Sequence, residues 1–150
     1  MFLILVAPAS NRVYAGEAPG LLAAELRVLL TAAGHDPGPI RPLELAGVHY
    51  LELDLDAGGP GADDTRARAE LGRASAVLAA YERVGELLRP VPLVRPDRFE
   101  DDLVTIPKYA GKTNEQFTRL LLDVTLAARQ RPRPGPASVL DPLSGRGTTL

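Results

Sequence analysis

The chain predicts a protein of α/β class: an α+β accessory domain over residues 1–100, followed by the beginning of a second unit over residues 101–150. Three observations carry this. Met1-Phe2-Leu3-Ile4-Leu5-Val6-Ala7 is a short continuous apolar run of the kind that buried strands show. Leu21, Leu22, Leu26, Leu29 and Leu30 recur at helical spacing and give a helix its buried face. Near the C-terminus, Ala137-Ser138-Val139-Leu140 is followed by Asp141-Pro142, by two glycines flanking Arg146, and by Thr148-Thr149. That pattern reads as a strand, a tight turn and a helix start.

In chain order, the first strand is expected over Phe2 to Ala7 and a polar loop follows it. A helix then runs from about Pro19, a residue suited to a first turn, to Ala33, where Gly34 stops it. Pro37, Gly38, Pro39 and Pro42 mark a loop. Val48-His49-Tyr50-Leu51-Glu52-Leu53-Asp54-Leu55 alternates apolar with polar, which predicts a strand with one wet face, ended by Gly58-Gly59-Pro60-Gly61. By propensity alone, Asp63-Asp64-Thr65 would cap a long alanine- and arginine-rich helix within residues 62–88. Pro90, Pro92 and Pro96 exclude the interior of a central strand after it. Thr113 with Gln116 three residues on forms a capping box, and Phe117, Leu120, Leu121, Val124 and Ala128 continue at helical spacing. A Pro/Gly-rich linker holds Arg129, Arg131 and Arg133. There a solvated loop is the favoured reading over a phosphate contact.

Composition fits a soluble, cytoplasmic, folded chain. At 150 residues it has the length to bury roughly 68–70% of its unfolded surface. Hydrophobic residues at 45% with charged residues at 24% are globular rather than disordered. Without cysteine there are no disulfides and no thiolate metal sites. The apolar N-terminus is too short to span a bilayer and has no basic n-region, so no membrane association is expected. A net charge of −2 counts against autonomous nucleic-acid binding. His35 and His49 lack an acid or second histidine at ligand spacing, and the acids Asp54, Asp56, Asp63 and Asp64 lack a calcium loop, so no metal site is expected. Ser75, Ser138 and Ser144 sit in no nucleophile elbow.

The C-terminal turn is specific about residue type. Gly145 and Gly147 lack a Cβ, so the backbone reaches positive φ and a ligand lies directly against it. Thr148 and Thr149 sit where free N–H groups emerge at a helix start, which suits a carboxylate or phosphate. Asp141 lies at the carboxyl end of the expected strand, where ligands of open α/β sheets bind. A P-loop would need a lysine and a longer spacing, and a dinucleotide turn would need a third glycine. A flexible glycine-containing tail is the plain alternative.

Asp141-Pro142-Leu143-Ser144-Gly145-Arg146-Gly147-Thr148-Thr149 resembles motif I of class I S-adenosylmethionine-dependent methyltransferases, in the form found in those that methylate exocyclic amino groups of nucleic-acid bases. The order Lys112-Thr113, Phe117, apolar helix, linker and motif I is similar to the motif X arrangement of the permuted members. The stretch from about Leu103 to Leu150 also resembles a bacterial group similar to the tRNA guanine-N2 methyltransferases, as, more diffusely, do Asn11-Arg12-Val13-Tyr14 and Ala24-Glu25-Leu26.

The resemblance implies a Rossmann-like sheet beginning at motif I, S-adenosylmethionine as cofactor, and RNA favoured over DNA as substrate. It implies Lys112, Thr113, Asp141, Gly145 and Gly147 as cofactor contacts. A helix start and a nearby ammonium suit the cofactor's carboxylate. For residues 62–93 it implies, in place of the long helix, a short helix to about Arg73. A hairpin then follows, with strands Ala76 to Glu82 and Glu86 to Leu93 around Val84-Gly85, and both readings stay open. The family's Pro-Pro-aromatic motif, which grips the target amino group, does not occur in these 150 residues, and the sequence ends just after motif I. The expectation is an incomplete enzyme with no assignable catalytic residue, or else a non-catalytic remnant or the partner-dependent half of a split protein, which would complete its sheet with a second chain and act as a binding or structural module.

Overall fold

The computed structural model describes residues 1–9, 12–55, 64–95, 113–129 and 138–142. Five strands form one antiparallel sheet: β1 Phe2–Val6, β2 Arg41–Leu45, β3 Val48–Leu53, β4 Val77–Val84 and β5 Leu87–Val91, in the spatial order β2-β3-β1-β4-β5. Among the described residues three helices accompany them, α1 Arg12–Ala32, α2 Asp64–Arg73 and α3 Glu115–Ala127. The class is therefore α+β. The order β2-β3-β1-β4, with α1 following β1 and α2 following β3, is the split βαβ arrangement called ferredoxin-like, extended by β5 at the β4 edge.

β1 takes the centre because it is apolar on both faces along its whole length. Phe2 and Ile4 belong to the core cluster with the α1 leucines, while Leu3, on the opposite face, is also fully buried. In register, Leu3 lies between Glu52 of β3 and Tyr81 of β4, and Tyr50 and Tyr81 meet edge to face at 6.4 Å. The edges go to the proline-bearing strands. Pro42 in β2 and Pro90 in β5 lack the N–H that a central strand would have to donate.

α1 begins seven residues before the position its sequence suggests, at Arg12 rather than Pro19. Tyr14 and Ala18 extend the buried stripe of Leu22, Leu26, Leu29 and Leu30 through the proline, so burial along one face outweighs one missing backbone bond. Its C-terminus is a Schellman cap. His35 N donates to the Leu30 carbonyl at 2.9 Å, Gly34 N donates to Thr31 O at 3.0 Å, and Gly34 adopts the positive φ of 89° that the motif requires.

The proline-marked loop resolves into the hairpin β2-β3, which the sequence reading missed. Leu45 pairs with Val48 across a two-residue turn in which Ala46 and Gly47 have φ of 50° and 78°. Both central residues at positive φ define the type I′ turn, but alanine is not a residue that announces one. In residues 64–93 the short helix and hairpin are present and the long helix is not. α2 ends at Arg73, and β4 pairs with β5 from Val84↔Leu87 to Ala80↔Val91.

α3 packs against α1, with Phe117 meeting Tyr14 edge to face at 6.4 Å and Ala127 resting on the core cluster. Its cap is Asn114, not Thr113: the Asn114 side chain accepts the Phe117 N–H at 2.8 Å. The asparagine carbonyl oxygen suits this better than the threonine one residue earlier. The expected strand over 137–140 is absent where it falls within the described residues. Residues 138–140 pair with no strand there and are exposed, because a strand needs a neighbour to take its ladder hydrogen bonds. No helix among the described residues is long and apolar enough to cross a membrane.

Candidate functional site

Of the five cofactor contacts expected from sequence, Lys112, Gly145 and Gly147 lie outside the described residues. Thr113 is exposed, immediately before the α3 cap. Asp141 is half-buried and follows two exposed apolar residues, Val139 and Leu140, at 56% and 89% exposure. The start of α3 is partly committed to its own chain. Asn114 takes the Phe117 N–H with its side chain and the Thr118 N–H, at 2.9 Å, with its carbonyl. Glu115 adds an acid in the first turn. An incoming carboxylate would have to compete with that charge for the positive end of the helix.

The described residues that gather polar chemistry in one place are different ones, and they were not singled out as site residues from sequence. They line the seam where α3 meets α1 and the α2–β4 connection. Glu25 projects from the apolar face of α1 and is 1% exposed. Its carboxylate accepts two hydrogen bonds from Ser75, from the backbone N–H at 2.9 Å and from the hydroxyl at 2.6 Å. Tyr14, one of the buried residues of α1, brings its phenol to the same place, beside Ser75.

Alongside, Arg73 at the end of α2 donates to Glu70 at 3.2 Å and to Asp123 of α3 at 3.1 Å. Arg119 donates to the Arg73 carbonyl at 3.2 Å and stands 3.9 Å from Asp123 Oδ2. Burial raises the Glu25 carboxyl above its ordinary range and the Asp123 charge pushes the same way, against the Ser75 hydrogen bonds and Arg119. Burial likewise raises the Tyr14 phenol, with Glu25 adding to it and the nearby Ser75 hydroxyl opposing. A buried carboxyl with a raised affinity for its proton, beside a phenol and a hydroxyl, can hold or release a proton.

One signal for this seam was legible. Glu25 occupies a position of the apolar stripe of α1, between Leu22 and Leu29, where a charge needs a partner. Which partner it finds, fifty residues away, is a matter of tertiary structure. Among the described residues no group of three or more His, Asp or Glu gathers as a metal site. No family model, curated protein or solved structure matches the chain.

Proposed function

We propose that the chain belongs with S-adenosylmethionine-dependent methyltransferases that act on an amino group of a nucleic-acid base, RNA favoured over DNA, with the α+β unit as accessory domain. The observation that carries this reading is the motif Asp141-Pro142-Leu143-Ser144-Gly145-Arg146-Gly147-Thr148-Thr149. S-adenosylmethionine, when bound, supplies an electrophilic methyl group on a sulfonium. The residues that would hold it are Asp141, Gly145 and Gly147, with Lys112 and Thr113 toward its carboxylate. A half-buried carboxylate at Asp141 is chemically suited to accept hydrogen bonds from a ligand. No residue is assigned a catalytic role.

A second reading is a non-catalytic binding or structural module that a partner chain completes. The exposed pair Val139-Leu140 favours it, since an apolar segment leading into the motif offers a surface for another strand to cover. Isothermal titration of the purified chain with S-adenosylmethionine tests the first reading. Saturable heat that is lost in both Gly145→Val and Asp141→Ala supports it. No heat from a chain whose circular dichroism shows a folded α+β unit refutes cofactor binding by this chain and leaves the second reading.

A further inference from the structure

The seam between α3 and the rest of the molecule has a feature that packing alone does not require. A carboxylic acid is enclosed in an otherwise apolar helix face, and a second carboxylate, Asp123, comes from α3, the helix packed against α1. We propose that this seam is a proton-sensitive latch that holds α3 on α1 and the α2–β4 connection, closed while Glu25 is neutral and loosened when Glu25 carries charge. The inference is independent of the methyl-transfer reading.

The charges around Glu25 decide the sense of the latch. From α1 itself comes Tyr14, a phenol that cannot neutralise a carboxylate. The α2–β4 connection brings Ser75, whose two donors favour the charged form. α2 brings Arg73, but its guanidinium is shared between Glu70 and Asp123. α3 brings Arg119, engaged with the Arg73 carbonyl, and Asp123, a like charge. The two cations thus face two acids besides Glu25. An ionised Glu25 places an extra negative charge on a side chain closed to water, while Arg73 and Arg119 beside it are only half-buried. Separating α3 would open the α1 face it packs on and remove the nearby Asp123, so ionisation favours the undocked helix.

Amide hydrogen exchange on the full chain between pH 5 and 9, corrected for intrinsic rates, reads the latch. In the wild type, protection of the α3 amides should fall by up to about tenfold per pH unit until Glu25 is ionised in the docked state, then level off. The β1 amides should stay protected throughout. Glu25→Gln should keep α3 protection independent of pH. As a check that needs no variant, the carboxyl carbon shift of Glu25 in the wild type should titrate with a midpoint where the fall in protection levels off. Loss of protection in β1 together with α3, an unchanged pH slope in Glu25→Gln, or a Glu25 midpoint at the ordinary carboxylate value would each overturn the proposal. Where Glu25→Gln does not fold, the wild-type carboxyl titration and the α3-against-β1 comparison decide it.

Discussion

Replacing Gly72 by alanine sets two opposite effects against each other at one position. Within a helix, alanine is favoured over glycine by roughly 0.8–1 kcal/mol, so on propensity the change stabilises. Gly72, however, is buried at the next-to-last residue of α2, where the chain beyond β5 crosses closely. An added Cβ would collide with the Val94 carbonyl oxygen and lie 3.1 Å from the carbonyl carbon and 3.3 Å from the nitrogen. All three are backbone atoms, so no rotamer change relieves the overlap. Either α2 or the segment after β5 must shift. Overpacking of that kind costs about 1–3 kcal/mol, and at the end of a helix the propensity gain is at its weakest. The clash wins, for a net loss of roughly 1–2 kcal/mol. Urea denaturation should place the midpoint about half to one molar lower at unchanged slope. Gly16→Ala and Gly20→Ala are the internal controls. Both lie in α1 with nothing within 4 Å of the new Cβ, so each should stabilise by about 0.4–1 kcal/mol. A Gly72→Ala protein as stable as the wild type would refute the close approach of α2 and Val94.

Ala46→Asn should stabilise the β2-β3 hairpin by about 0.5–1 kcal/mol, because asparagine tolerates the left-handed conformation that alanine holds at φ 50°. A thermal melt showing no gain would count against the type I′ turn. Asn114→Ala removes the acceptor of the Phe117 N–H and should cost about 1 kcal/mol, seen as faster exchange in the first turn of α3, whereas Thr113→Ala should cost little. Stability should also depend on pH through Glu25. The folded carboxyl, held above its ordinary range chiefly by burial, keeps its proton where the unfolded chain has lost it. This contribution is therefore complete below the unfolded value and is lost as pH rises through the folded one. Glu25→Gln should flatten that part of the stability profile, and a profile identical to the wild type would show that another group governs it.

Legibility from sequence varied with the range over which each feature is decided. β1, the leucine face of α1 and the inward Leu51 and Leu53 of β3 were read correctly, because each is a local pattern with its own period. In sequence β2 looks like loop because Pro42 argues against a strand, a rule that holds for central strands and relaxes at the edge where β2 sits. The early start of α1 was missed for a similar reason: Pro19 suits a first turn, yet the helix continues upstream because Tyr14 and Ala18 have a face to bury. At the α3 cap, Thr113 and Asn114 are both capping residues, and only the backbone geometry selects the asparagine.

What the sequence by itself determined is the class, the buried first strand, the leucine face of α1 and the residue pattern at 141–149, all set by residues close together in the chain, whereas Leu121 of the expected α3 stripe is exposed. The tertiary structure decided what long-range contact alone can decide. It made the sheet antiparallel with β1 between β3 and β4, and it brought Ser75 to Glu25 and Arg73 to Asp123 across fifty residues each. The physical reason lies in the side chains. An apolar stripe announces that it will be buried but not by what, whereas a buried carboxylate is tolerable only when a specific donor reaches it, and that donor is supplied by the fold.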